Sequence, residues 1–311
     1  MSRIQLEQPT IREFEWDDLP GATAVVEDVY PERLPLAEAL GHRLRTAPER
    51  ERHRRWIAEE GGEIVGWGES NLVGDEPGVG FVGICVARRA RRRGIGGALY
   101  DVALAHLRDL RVRKVLSDSP DAPESRTFAE RRGFEAIREM RFLGADPRHA
   151  DLEELERRRA AAASEGLRLV PFAGLRDRLA DVYEAYAVTT ADLPGEEPPA
   201  PPFEDWVEQH WRDPLRSLEA SFALVDDTHV ASYTTVRLRP PYAVTDMTGT
   251  LREFRRRGYG YLVKLASFAA AARLGVTSFI TDTDEANVAS LAMNDRLGLE
   301  PQGASLIWAL E

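Results

Sequence analysis

Two short segments of this sequence have the residue types to hold a phosphate. Arg91-Arg92-Arg93-Gly94-Ile95-Gly96 and Arg255-Arg256-Arg257-Gly258-Tyr259-Gly260 align without a gap. Each follows an apolar, strand-like run after a short polar link, and each opens a stretch with apolar residues at helical spacing. The first turn of a helix carries unsatisfied N–H groups and the positive end of the macrodipole. Glycine lets the backbone approach a ligand closely, and arginine adds charge and bidentate geometry for phosphate oxygens. Strand, Arg/Gly loop and helix together make a pyrophosphate cradle. Neither copy is a P-loop, which needs GxxxxGK[ST], and Gly94, Gly96 and Gly97 lack the spacing of a dinucleotide fingerprint. One Arg run alone reads as a solvated loop. Two in the same structural context read as a binding element.

The elements that must position the cradles repeat as well. In the first half, TIREFE is a strand, and an amphipathic stretch runs from Asp17 to about Tyr30. A polar helical segment then covers about Leu36 to Arg55. RWIAEE, EIVGWGESNLV and VGFVGICVA follow as strands, with Gly61-Gly62 as a hairpin signal. Beyond the first cradle come a helix, the strand KVLSD and a short helix closed by Gly133. The second half keeps this order: LRLVPF, a helix over LRDRLADVYEAYAV, the Pro-rich GEEPPAPPFEDW, a hairpin around Asp226-Asp227 and the strand YAVTDMTGTL. After the second cradle come a helix, the strand VTSFITDT and a helix ended by Gly298. ADLEELERRRAAAASEG between the halves reads as a charged, solvated linker helix.

A length of 311 residues suits two domains, here 1–147 and 167–311 with a helical linker at 148–166. With 43% hydrophobic and 30% charged residues, each half can bury a core, so disorder is excluded as the general state. The single cysteine, Cys85, rules out an intramolecular disulfide, and neither it nor the six histidines form a zinc motif. No bound metal is expected. The net charge of −11 opposes a nucleic-acid binder. The start of the chain has no apolar signal region, and the apolar run from Leu262 to Ala272 is too short to span a bilayer. The expectation is a cytoplasmic protein, monomer or homodimer, that touches neither membrane nor nucleic acid.

The pattern [Q/R]-x-x-G-x-[G/A] between a strand and a helix resembles the acyl-CoA-binding motif of the GNAT superfamily of N-acyltransferases. AERRGFEAIREMRF and NDRLGLEPQGASLIW are similar to that family's last helix, Gly-hydrophobic turn and final strand, so the resemblance covers nearly the whole chain. It implies an α/β fold of two tandem GNAT domains, each with a mixed, mostly antiparallel sheet flanked by helices. It also implies acetyl-CoA, or another short acyl-CoA, as donor and a small amine or peptide amine as acceptor. In the first domain, Ile84, Cys85 and Val86 would lend backbone groups to the pantetheine arm, and Arg91, Arg92, Arg93, Gly94, Ile95, Gly96 and Gly97 would hold the pyrophosphate. In the second, Thr248, Gly249 and Thr250 precede Arg255, Arg256, Arg257, Gly258, Tyr259 and Gly260 in those roles.

The copies differ where the resemblance implies chemistry. Asn287 stands where the family places an Asn that bonds the CoA arm, and the first domain has Ala122 there. The family's Tyr general acid is replaced by Ala129 and Asn294, of which only Asn294 can donate a hydrogen bond. A carboxylate can take the proton of an attacking amine. Asp246 is the candidate in the second domain, with Thr248 and Thr250 expected on its face by the two-residue period. Its alternative is a structural salt bridge, and Tyr233 and Glu219 are secondary candidates. The counterpart strand of the first domain has no acid, leaving Glu69 on the preceding strand. Cys85 reads as a small buried residue. These differences favour the second domain as catalytic, with Asp192, Glu196 and Glu197 as acids suited to a cationic acceptor. The rival readings are a non-catalytic acyl-CoA sensor and a nucleic-acid module acting through the Arg runs.

Overall fold

A computed structural model of the protein describes residues 9–30, 37–74, 78–194 and 199–311. Its contacts divide the chain into two compact units: the chain up to Arg138 together with Ser305–Glu311, and Glu139–Ala304. Glu196 and Glu197 lie outside the described residues.

In the first unit, β1 (Thr10–Glu13) leads to α1 (Leu19–Val29) and α2 (Ala37–Thr46). The strands β2 (Arg54–Glu60), β3 (Glu63–Leu72) and β4 (Val79–Val86) follow, then α3 (Ile95–Asp109), β5 (Lys114–Pro120) and α4 (Pro123–Glu130). Gly61 and Gly62 both take positive φ, so the Gly-Gly pair makes the tight β2–β3 turn its sequence suggests. Strands β1 to β4 pair antiparallel in sequence order. Alternation then sorts side chains to the two faces. Trp67, Ile57 and Cys85 pack under α1 and α2, whereas Val82, Ile84 and Val86 face α3. Strand β4 runs parallel to β5 for only three residue pairs, Val79–Lys114 to Phe81–Leu116. Beyond them the two strands part.

In the second unit, β6 (Glu135–Ala145, from Glu139) is followed by α5 (Leu152–Ser164), β7 (Arg168–Pro171), α6 (Leu179–Thr190), α7 (Phe203–Trp206) and β8 (Phe222–Val225). Next come β9 (Val230–Arg239), β10 (Tyr242–Thr250), α8 (Tyr259–Arg273), β11 (Ser278–Asp284) and α9 (Val288–Arg296). The order β7-β8-β9-β10 is antiparallel, and β10 pairs parallel with β11 only over Tyr242–Val244 before parting. Helix α5 is more than a solvated linker. Leu155 and Ala162 are buried in the same cluster as Leu262 and Ala266 of α8.

The compact units do not coincide with the sequence repeats. The last strand, β12 (Glu300–Leu310), gives Ser305–Leu310 to the first unit, antiparallel to β5, with Trp308 paired to Ser117. The edge of β11 in the second unit is covered by β6, Met140 to Ala145, which follows the first repeat in sequence. Each repeat thus closes its sheet with the other repeat's final strand. Among the described residues no helix is long and apolar enough to cross a membrane.

Candidate active site

The two Arg/Gly loops share one backbone conformation. Arg92 and Arg256 have φ of 64° and 63°, and Gly94 and Gly258 have 84° and 79°. Left-handed residues placed this way turn N–H groups into a concavity that suits an anion, and α3 and α8 begin at the next residue. The first arginine of each loop folds back onto its strand. Arg91 Nε donates to the Val86 carbonyl at 3.1 Å, and Arg255 Nε to the Thr250 carbonyl at 2.9 Å.

What covers the loops differs. A Cβ built on Gly94 would meet nothing within 4 Å, whereas one on Gly258 would lie 2.5 Å from the guanidinium of Arg158. Arg158 projects from α5, with its Nε on Glu154 at 2.5 Å. Asp192 also sits on the second loop, where hydrogen bonds from Arg252 and then Arg255 hold its carboxyl at about 2. Asp192 therefore neutralises the second cradle, and its charge is already matched. In the first loop Arg91 pairs with Glu124 at 2.9 Å and Arg93 with Glu60, while Arg92 lines the cleft described next.

Where β4 and β5 part, a cleft of about 430 Å³ opens beside the first loop. Val82, Ile84 and Val86 form one wall and Ser117 to Pro120 the other. Tyr100, Phe128, Ala129 and Trp308 line its interior. Arg132 stands at its rim, its guanidinium 3.5 Å from the ring centre of Phe128 and 3.3 Å from where a Cβ on Gly97 would lie. The gap between β10 and β11 in the second unit is instead filled. Lys264, at the helix position of Tyr100, donates to Asn294 Oδ1 at 2.7 Å and to Thr281 Oγ1 at 3.2 Å. Asn294 donates onward to Thr283 at 3.0 Å. Lys264, Asn294, Thr281 and Thr283 are all buried. Burial presses the Lys264 ammonium down to about 7, with Asp282 opposing. The first gap thus opens as a cleft, whereas in the second unit this buried hydrogen-bonded cluster stands at the corresponding helix positions.

The sequence of residues 10–134 matches the profile of the Acetyltransferase (GNAT) family. These residues are thus similar to a GNAT acetyltransferase domain. Over nearly its full length the chain superposes on a tandem GNAT protein from the clavulanic acid biosynthesis pathway, with a TM-score of 0.72 and 21% identity. That match covers 97% of this chain and 98% of the other. A GCN5-related N-acetyltransferase from Sphaerobacter thermophilus gives 0.70 at 15% identity, covering 98% and 96%. No curated protein matches the chain. The fold is therefore a tandem GNAT fold.

Within this GNAT frame the carboxylates expected to act as bases are tied up. Asp246 sits at a β-bulge between Thr245 and Met247. The extra residue shifts the alternation there. Asp246 accordingly lies with Tyr233, Thr235 and His210, while Thr248 and Thr250 bond Thr234 and Ser232 on the opposite face. This corrects the expectation that all three share a face. Arg216 Nη2 contacts Asp246 at 2.5 Å, and Arg237 Nε approaches to 3.5 Å. Burial alone would raise this carboxyl, but the two guanidiniums outweigh it and hold Asp246 far below the usual carboxylate range. A carboxylate held that low is a poor proton acceptor. Burial likewise pushes His210 down, so it stays neutral beside this cluster. Glu69 repeats the arrangement in the GNAT domain: Arg43 grips it with two bonds of 3.1 Å, and with Arg55 overcomes burial to lower its carboxyl.

The remaining expected residues fall into place around these. Asn287 caps α9, accepting from the Ser290 N–H at 3.1 Å. Tyr233 is buried with its hydroxyl 2.8 Å from Thr189, and Glu219 is exposed. Cys85 packs under α1, away from the cleft that Ile84 and Val86 line. Asn294 is fully enclosed, so the hydrogen bond expected of it goes to Thr283. Tyr100, Arg132 and Trp308 were not singled out by the sequence. Tyr100 lies in a helix with apolar residues at regular spacing and reads as core, and Trp308 belongs to the other repeat.

Proposed function

We propose that the protein transfers a short acyl group from CoA to a primary amine, and that the first unit carries the reaction. This reverses the preference for the second half that the polar differences between the repeats suggest. The observation that carries the reading is the open cleft running from the uncovered Gly94 loop between the parted strands. Arg92 and the N–H groups of the loop would hold the pyrophosphate, and the unpaired edge of β4 would bond the pantetheine amides. N–H groups of the strand ends would polarise the thioester carbonyl. The amine nitrogen bonds the acyl carbon, the C–S bond breaks with its electron pair on sulfur, and the surplus amine proton leaves to solvent. Asp118 lines the cleft, and its carbonyl accepts from the Tyr30 hydroxyl at 3.2 Å. The second unit, with its cradle covered and its gap filled, serves as a scaffold for the first.

Calorimetric titration of the full chain with CoA tests this. Valine at Gly94 is strained and blocks close backbone approach, and Glu at Arg92 reverses a charge at the cradle. Both variants should lose CoA binding, whereas Gly258→Val should leave it intact. Loss of binding in Gly258→Val with retention in Gly94→Val would place the site in the second unit.

A further inference from the structure

We propose that the second unit binds a chloride ion between the indole of Trp206 and the guanidinium of Arg216. The site shares no residue with either Arg/Gly loop, and the proposal does not depend on where CoA binds.

A cavity of about 10 Å³ lies beside α7, and Phe172, Tyr186, Trp206, Trp211, Arg216 and Asp246 are among the residues that line it. That is room for one particle about the size of a water molecule. Two of the lining residues carry an N–H without an acceptor. Trp206 is 3% exposed, and its Nε1 has no hydrogen-bond partner among the described residues. The Arg216 side chain is also 3% exposed. Its Nε donates to the His210 carbonyl at 2.9 Å and its Nη2 to Asp246 Oδ2 at 2.5 Å, but its Nη1 is buried without a partner. A buried donor left unpaired costs its full desolvation, and more so when it is charged. Two such donors on one small cavity share the need for an acceptor that the chain does not supply.

The charge around the cavity sets the kind of acceptor. Arg216 and Arg237 are partners across an antiparallel bridge, a placement that sets two like charges side by side. Among the described residues Asp246 is the only carboxylate that pairs with either, at 2.5 Å from Arg216 and 3.5 Å from Arg237. Two guanidiniums thus share one carboxylate, and Arg237 Nε is itself buried without a hydrogen bond. His210 lines the same cavity, and burial keeps it neutral. A negatively charged acceptor evens this balance, whereas a water leaves it uneven. Size then decides among anions. Phosphate, sulfate and carboxylates need more than one water's space, and a monatomic halide does not.

The ion would join two parts of the second unit. Trp206 ends α7 and leads into the π-helical turn Val207–Trp211, while Arg216 is bridged to β9. A shared anion pins that turn to the sheet through two charge-assisted hydrogen bonds. Chloride is therefore a structural ligand, released when the unit unfolds.

The test is urea unfolding of the full chain at fixed ionic strength, with sodium gluconate replaced stepwise by sodium chloride. Gluconate is too large for the cavity and keeps screening constant. Once chloride exceeds its dissociation constant, each further tenfold should lower the unfolding constant of the second unit about tenfold. Trp206→Phe keeps an aromatic ring but deletes the N–H, and should weaken chloride binding by about 10–100-fold. The chloride dependence then begins at a correspondingly higher concentration. Crystals grown in sodium bromide should show an anomalous-scattering peak between Trp206 Nε1 and Arg216 Nη1. Equal second-unit stability in the two salts, or a bromide map without that peak, overturns the proposal and leaves the cavity to water. A Trp206→Phe protein that responds to chloride as wild type does overturns it too, because the ion then binds elsewhere.

Discussion

Lys264 gives the second unit a pH dependence that can be worked out from its surroundings. Its side chain is 1% exposed, and burial lowers its pKa from 10.5 to about 7. Above about 10.5 the lysine is neutral in folded and unfolded chains alike, and titration contributes nothing. Between about 10.5 and 7 the unfolded chain holds a proton that the folded chain releases. Stability then falls as pH falls through this window, at about 1.4 kcal/mol per pH unit and roughly 5 kcal/mol at most. Below about 7 the loss is complete. Lys264→Met removes the titrating group but leaves Asn294 Oδ1 without its donor, which costs about 1–3 kcal/mol. The variant should be more stable than wild type by about 2 kcal/mol at pH 7, near 1 M in a urea midpoint, with the advantage gone by pH 9.5. Urea unfolding of the second unit at pH 7 and 9.5 reads this directly. Parallel profiles for the two proteins would show that Lys264 keeps its ordinary pKa, and that water fills the space between β10 and β11.

Trp308→Ala should cost about 3–5 kcal/mol, and the cost should fall on the first unit although Trp308 lies near Gly298 in sequence. Separate denaturation transitions for the two units check it, and a loss confined to the second would refute the strand assignment. Asp246→Asn leaves Arg216 and Arg237 without their carboxylate, so it should destabilise the second unit by about 3 kcal/mol or more while CoA binding is retained. If thermal unfolding is unchanged while acyl transfer drops about 10²–10⁴-fold, Asp246 is the general base after all.

The cradles were legible in the sequence because their geometry is local. Arg-Arg-Arg-Gly-x-Gly dictates the left-handed turns and the helix start, and both copies fold alike. The hairpins at Gly61-Gly62 and Asp226-Asp227 were legible for the same reason. The state of each site was not, because it depends on residues brought from far along the chain. Asp246 looks available until Arg216 arrives from 30 residues before it. Glu69 meets Arg43 of α2 across a similar separation. The alternation that put Asp246 with Thr248 fails at a bulge, which one inserted residue creates without a compositional mark. Lys264 in an apolar helix was visible, but its choice of Asn294 as partner required the sheet. The partner of β12 was hidden too, since a strand's pattern is the same whichever edge it joins.

The exchange of final strands orders the events of synthesis. Everything the second unit contains has been made once residue 304 is reached, so that unit can close its sheet first. The first unit has most of its chain long before, yet the edge of β5 and the socket for Trp308 stay open until residue 310 emerges. At about 5–20 residues per second, the stretch in between takes roughly 10–30 s to translate. Through that interval the cleft lacks one wall residue and its sheet has an unpaired edge. A nascent chain in this state exposes the kind of strand edge that chaperones cover and that aggregation exploits. Cutting the gene between the repeats would make that transient exposure permanent.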